Sequence, residues 1–370
     1  MNGLAGYLIV GAVAAVVTFV LTPLVGRAAH RLGWLVQPDE RRVHAVPTPD
    51  VGGIAMFVGF LAAMATAAAM DRFAPLFRGN SEPWGVILAA AVIFLVGLVD
   101  DVVELPPVAK VTGTVLAGAI LVGFGVTMFY FRVPFLDTFV LSPDWSPLVT
   151  IVWLLGMTQA VNLIDGLDGL AAGIVAIGAT SFFVYSWHLG ELNLLLEPNI
   201  GPLIAIITAG VCLGFLPFNF NPARIFMGDC GALFLGALLA VSTSVVGGRA
   251  DTAQGYSGQT YFFFAPLFIP LFILGVPILD VAFAIVRRAT RRQGLATADK
   301  GHLHHRLMNL GHGQRRSVLI LWLWTALLSA FVLYPALTGS DTFAAPFVLV
   351  GLLLGLYTVL HPNLRRTARR

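Results

Sequence analysis

Apolar residues run in long stretches along this chain, separated by short polar segments. Windows of about 20 apolar residues, the length at which a helix crosses roughly 30 Å of hydrocarbon, fall near 4–25, 51–70, 85–101, 108–128, 146–162, 169–188, 200–217, 229–248, 261–286, 317–337 and 344–361. The pattern predicts an all-α polytopic membrane protein of about 10–11 transmembrane helices. Between the fourth and fifth windows, YFRVPFLDTFVLSPDW is rich in β-branched and aromatic residues and broken by Pro, which predicts a short β-hairpin. No repeat of fixed period, low-complexity tract or composition shift marks off a soluble domain. Residues 1–370 therefore read as a single integral-membrane domain.

Charge assigns the sides. With eleven spans the termini lie on opposite faces and the connecting segments alternate. One set holds Arg27, Arg31, Arg41, Arg42, Lys110, Arg224, Arg287, Arg288, Arg291, Arg292, Lys300, Arg306, Arg315 and Arg316, with Arg365, Arg366, Arg369 and Arg370 in the tail. The other holds only Arg72, Arg78, Arg132 and Arg249. The positive-inside rule places the first set and the C-terminus in the cytoplasm, with the N-terminus and the hairpin outside, on the periplasmic face of a bacterial cytoplasmic (inner) membrane. The N-terminal run lacks a basic region before its apolar stretch and lacks a cleavage signature, so it reads as a retained first span rather than a signal peptide.

Composition agrees: 58% of residues are hydrophobic and only 11% charged, which excludes an ordinary soluble domain. The basic loops already account for the positive balance, so no nucleic-acid partner is required. Cys212 and Cys230 lie in or beside apolar segments, offer neither a disulfide framework nor a metal-ligand spacing, and read as packing residues.

Against this background four polar stretches stand out: VDDVVELPPVAK (99–110), VNLIDGLDGL (161–170), FNFNPARIFMGDCG (218–231) and ADKGHLHHRL (298–307). Each taken alone has a plain reading. Asp100 and Asp101 could end a helix in solvent, and Gly166 and Gly169 with their Asp neighbours could merely shape a turn. Counting spans, however, puts all four on the cytoplasmic face. Several carboxylates beside apolar sequence repel one another unless cations join them. Hard oxygen donors without cysteine favour Mg²⁺ or Mn²⁺ over zinc, and Mg²⁺ typically takes one or two carboxylates plus substrate phosphates. Lys110, the 287–292 arginines and the histidines supply cations for phosphate charge, so the set fits phosphoryl transfer on a diphosphate substrate. His302, His304 and His305 do not all share one helix face, which disfavours zinc and favours a loop of imidazole donors for phosphate or sugar hydroxyls, assisted by Arg306. Phe226 reads either as a span-end anchor or as a surface that stacks on a nucleobase. A secondary transporter is the rival, but its ionisable groups belong near the bilayer midplane, whereas these sit at one face.

Taken in order, HAVPTPDVGG (44–53), GLVDDVVELPPVAK, NLIDGLDGLA, NFNPARIFMGDCGALFLG and DKGHLHHRL resemble the polyprenyl-phosphate N-acetylhexosamine-1-phosphate transferases over most of the chain. The resemblance implies transfer of a sugar 1-phosphate from a UDP-sugar to a polyprenyl phosphate (undecaprenyl or decaprenyl) at the cytoplasmic face. UMP is released, and a lipid-linked diphospho-sugar is left for cell-envelope polysaccharide synthesis. It implies Asp229 as Mg²⁺ ligand, with Asn162 as second ligand or diphosphate contact. Asp100 and Asp101 match the pair that orients or deprotonates the acceptor phosphate, and Lys110 the lysine that faces phosphate. Asp165, Gly166, Leu167, Asp168, Asn219 and Phe226 match the nucleotide pocket, and His302, His304, His305 and Arg306 the segment that reads the sugar. Which aspartate acts as base, and whether the enzyme is a homodimer, stay open. The chain departs from the family pattern at Thr114, where glutamine is common, and at Asp50, where a small or apolar residue is common. The HLHH form resembles the branch that uses UDP-GlcNAc rather than the one that uses UDP-MurNAc-pentapeptide, so UDP-GlcNAc is the expected donor and another UDP-N-acetylated sugar the alternative.

Overall fold

The structure, a computed structural model, describes residues 3–37, 46–128, 130–132, 138–195, 198–247, 312–338 and 344–367. It is overwhelmingly helical, as the apolar windows predict. The long helices are α1 (Gly3–Leu32), α4 (Glu82–Val103), α6 (Trp145–Ile164), α7 (Leu170–Glu191), α8 (Gly201–Asn219), α9 (Gly228–Gly247) and α10 (Gln314–Thr338). Among the described residues, seven helices are long and apolar enough to cross a membrane, and an eighth span arises if one bent pair is counted.

That bent pair corrects the second window. Here α2 (Gly53–Ala68) stops short, a 3-10 turn follows over Asp71–Phe73, and α3 (Ala74–Phe77) leaves at 87°. The Asp71-Arg72 pair and Pro75 cannot prolong a hydrocarbon-buried helix, so the chain turns at the interface instead. Arg72 settles with its guanidinium 5.5 Å from the Tyr7 ring and 6.0 Å from the Trp187 ring, which ties the turn to α1 and α7. The fourth window forms only the shorter helix α5 (Pro107–Gly123), and the last forms α11 (Ala344–Thr367), whose apolar part covers Ala345–Thr358. The ninth window, 261–286, lies outside the described residues. The expected hairpin is present as an antiparallel pair of β3 (Tyr130–Arg132) and β4 (Thr138–Val140), and a second small pair joins β1 (Leu35–Val36) to β2 (Thr48–Pro49).

The helices are not equivalent. In α9, 94% of the apolar stretch is buried, against 28% in α1 and 33% in α4. A helix apolar on every side belongs in the interior, and α9 is accordingly the central post, packed by α4, α6, α8 and α2. Phe57 of α2 stacks on Phe94 of α4 with centroids 4.4 Å apart and meets Phe234 of α9 edge-on. Outer helices turn Val16, Phe19, Val20, Leu88, Leu95, Leu148, Val152, Leu319 and Leu323 outward, the surface a lipid solvent permits. Several polar side chains inside the bundle find partners within it. Thr22, Thr180, Thr208 and Thr325 donate to the carbonyl four residues back, and Trp153 Nε1 donates to Thr243 Oγ1 at 2.9 Å, joining α6 to α9.

Candidate active site

One end of the bundle gathers the C-terminal ends of α4, α6 and α8 and the N-terminal ends of α5, α7, α9 and α10. The ELPP sequence builds the first corner. Glu104 closes α4 in the left-handed region (φ 58°), and Pro106 and Pro107 forbid continuation but suit the start of α5. Asp100 Oδ1 accepts the Leu105 N–H at 2.7 Å, which fixes the corner. Lys110, on the first turn of α5, is thereby aimed back at α4. Its Nζ lies 2.5 Å from Asp100 Oδ2 and 2.7 Å from Asp229 Oδ2, a single ammonium joining the ends of three helices. Asn162, on the last turn of α6, donates Nδ2 to the same Asp229 oxygen at 3.2 Å.

Asp101 does something different from its neighbour. Its Oδ1 accepts the Asp229 N–H at 2.7 Å and its Oδ2 the Cys230 N–H at 3.0 Å, so its carboxylate closes the N-terminus of α9. That satisfies two amides no helix can pair internally and sets a negative charge at the positive end of the helix dipole. Two glycines make room. A Cβ on Gly97 would run into the main chain at Cys230, so only glycine lets α4 lie against the start of α9. Gly228 has φ +70°, and a Cβ there would strike the Asp50 carbonyl and the Asp101 carboxylate.

The 49–53 segment runs beside 226–227. Phe226 N donates to Pro49 O at 2.8 Å, Gly52 N to Phe226 O at 2.9 Å and Gly53 N to Met227 O at 2.9 Å. This brings Asp50 to the acidic cluster. Between α6 and α7, Gly166 is exposed and Asp165 half-buried. Burial, and after it the carboxylates of Asp50, Asp229, Asp101 and Asp168, push the Asp165 carboxyl well above the usual carboxylate range. The Leu167 side chain turns into the core and anchors the loop. Asn219 is also buried, with Oδ1 accepting the Gly169 N–H at 3.0 Å and Nδ2 donating to Ile225 O at 3.1 Å. It braces two loops from beneath. Asp168 Oδ2 accepts Asn221 Nδ2 at 2.8 Å and the Ala223 N–H at 3.0 Å.

The structure therefore brings Asp100, Asp101, Lys110, Asn162, Asp165, Asp168, Asn219, Phe226 and Asp229 to one end of the bundle. His302, His304, His305 and Arg306 lie outside the described residues. Three residues that sequence reasoning passed over join the site: Asn221, Gln314 and Arg315. Asn221 stands inside a motif already singled out, and an asparagine beside a proline reads as turn chemistry. Gln314 and Arg315 carry no motif signal.

Among the described residues, Asp100, Asp101 and Asp229 each offer an oxygen within 4.8 Å of the others, an all-oxygen donor set that fits a hard divalent cation. The sequence of residues 83–247 matches the model of glycosyl transferase family 4. The chain is 37% identical over 97% of its length, and 90% of the relative's, to a decaprenyl-phosphate N-acetylglucosaminephosphotransferase of Mycobacterium leprae. It is 36% identical, over 84% of its length and 80% of the relative's, to a probable undecaprenyl-phosphate N-acetylglucosaminyl 1-phosphate transferase of Bacillus subtilis. It is also 32% identical, over 87% of its length and 96% of the relative's, to a phospho-N-acetylmuramoyl-pentapeptide-transferase of Moorella thermoacetica. With motifs, bundle and relatives in agreement, the chain belongs to glycosyl transferase family 4, the polyprenyl-phosphate N-acetylhexosamine-1-phosphate transferases.

Proposed function

We propose that this protein transfers GlcNAc-1-phosphate from UDP-GlcNAc to a polyprenyl phosphate, releasing UMP and forming polyprenyl-diphospho-GlcNAc. The observation that carries the reading is the lysine held between Asp100 and Asp229, with Asn162 on the same oxygen, where three helix ends and an α6 terminus converge. The relatives named for N-acetylglucosamine transfer support the choice of sugar.

The chemistry is an in-line displacement. An oxygen of the acceptor phosphate attacks the phosphorus that carries the sugar. A P–O bond forms, the bond to the bridging diphosphate oxygen breaks, and UMP leaves with that electron pair. Lys110 supplies the positive charge that draws the acceptor phosphate towards Asp100 and the α4–α5 corner, and it screens charge on the transferring group. Asp101 holds the first turn of α9 so that Asp229 faces Lys110. The Asp165–Asp168 loop, braced by Asn219, receives the nucleotide, and His302, His304, His305 and Arg306 read the sugar. A phosphate dianion is already nucleophilic near neutral pH, so the attack does not depend on a strong base. Mg²⁺, or Mn²⁺ in its place, would be held by Asp229 and Asn162 and would neutralise the diphosphate as charge builds on the leaving oxygen. The same reading puts the chain in a bacterial cytoplasmic membrane with the N-terminus outside and the site and C-terminus in the cytoplasm.

The test is incubation of purified protein with polyprenyl phosphate and a panel of UDP-sugars, with and without chelator, followed by identification of UMP and the lipid product. Movement of a solute without UMP release would support a transporter instead. Transfer from UDP-MurNAc-pentapeptide but not from UDP-GlcNAc would move the protein to the other branch.

A further inference from the structure

We infer that Asn221 is a positioning residue for the nucleotide end of the donor: its amide locks the loop that carries Asp168 to the first turn of α10. The inference rests on the proposed function and adds to it a residue that the sequence motifs leave without a role.

An asparagine amide has two N–H donors, and Asn221 spends them on acceptors from different parts of the chain. One goes to Asp168 Oδ2 at 2.8 Å, the other to Gln314 Oε1 at 2.7 Å. The acceptor side is used as well. Arg315 Nε donates to the Asn221 main-chain carbonyl at 2.9 Å and reaches its Oδ1 at 3.3 Å. The side chain is thus a bridge from the α6–α7 loop to the start of α10. Both donors that reach Asp168 from this loop, Asn221 Nδ2 and Ala223 N, fall on Oδ2. The other carboxylate oxygen stays outside the bridge, and its direction is set by how firmly Oδ2 is held.

The loop itself does not depend on this bridge. Asn219 pins it to Gly169 and Ile225, and Arg224 N donates to Phe218 O at 2.8 Å. Removing the Asn221 amide therefore leaves the turn standing but uncouples Asp168 from α10. All three members of the bridge, Asp168, Asn221 and Gln314, are half-buried, where a lost partner costs more than it does in open water. None of these bonds touches Asp100 or Lys110, so the acceptor side of the site is outside the network.

The experiment is a double-mutant cycle with Asn221→Ala, Gln314→Ala and the pair, using full-length protein in detergent. It reads kcat, the KM for UDP-GlcNAc, the KM for polyprenyl phosphate, and UDP affinity by calorimetry. Each single variant is expected to raise the donor KM and weaken UDP roughly tenfold while kcat stays within about threefold. The acceptor KM should not move, and the double variant should be no worse than the worse single, because either substitution already opens the bridge. Losses that multiply in the double variant, an acceptor KM that rises with the donor KM, or unchanged UDP affinity would each overturn the inference. A wild-type protein that neither binds UDP nor releases UMP overturns the proposed function and this inference together. An active wild type with an indistinguishable Asn221→Ala variant overturns this inference alone.

Discussion

Replacing Lys110 by Met removes the ammonium between Asp100 and Asp229 while keeping the length of the side chain. Two opposing effects follow. The variant loses the cation proposed to draw in phosphate, and removing one such preorganised group typically costs about 10²–10³ in turnover. It also frees Asp229 Oδ2, which the ammonium holds at 2.7 Å, for a divalent cation. Two unit charges about 4 Å apart repel by about 1 kcal/mol in water and about 4 kcal/mol at the effective dielectric of a protein surface. The Lys110 and Asp229 side chains are 23% and 25% exposed, so solvent screens part of this. A divalent cation doubles the pairwise figure to about 2 kcal/mol even in water, so the relief amounts to at least roughly tenfold tighter cation binding. The assay pairs UMP release across a Mg²⁺ titration with direct Mn²⁺ binding by electron paramagnetic resonance. The expected result is a low plateau rate reached at a lower metal concentration than in the wild type. Weaker Mn²⁺ binding in the variant would refute the competition between ammonium and cation, and a plateau within about threefold of wild type would refute the phosphate role.

Asp229→Asn should fold and insert normally but lose turnover by several kcal/mol in the barrier, even at saturating Mg²⁺, whereas Asp144→Asn, exposed before α6 at the other end of the bundle, should match wild type in the same UMP assay. Asp101→Ala should lower the unfolding temperature as well as the rate, because loss of a helix cap costs about 0.5–2 kcal/mol; a dead enzyme with wild-type thermal stability would argue that Asp101 contacts substrate instead. Asp168→Ala should weaken UDP and UDP-GlcNAc alike, while His304→Ala should spare UDP and relax the preference for UDP-GlcNAc over UDP-glucose. Equal losses of both ligands in the His304 variant would reduce that histidine to a general phosphate clamp.

Much of the site's location was legible because span parity is a long-range rule written in local signals. Stretches bracketed by spans three and four, five and six, seven and eight must meet at one membrane face, and VDD, NLIDGLDG and FMGD do. What parity does not convey is direction. Adjacent residues on a helix project about 100° apart, so Asp100 and Asp101 could not both face Lys110, and which one turned towards α9 depended on where α9 packs. The same applies to Leu167 and Asn219, whose motif membership marks the loop but not which side chains line it and which support it. The bend after α2 was readable in the Asp71-Arg72 pair and Pro75, which stand just past the end of the 51–70 window. Asn221, Gln314 and Arg315 meet only through tertiary packing, from positions 93 or more residues apart along the chain.

Asp229 sits on the first turn of the most enclosed of the described membrane-length helices, with 94% of that helix's apolar stretch buried. A post packed on every side cannot tilt or slide without disturbing four neighbours at once. The proposed phosphate end of the reaction is thus built on an anvil, and any movement that admits a lipid headgroup or a nucleotide sugar must come from parts that pack elsewhere, such as the entry to α10, whose helix lies against α7. Substitutions that broaden the range of sugars accepted should accordingly collect at that flank, whereas changes along α9 should alter how much active protein is made rather than which donor it uses.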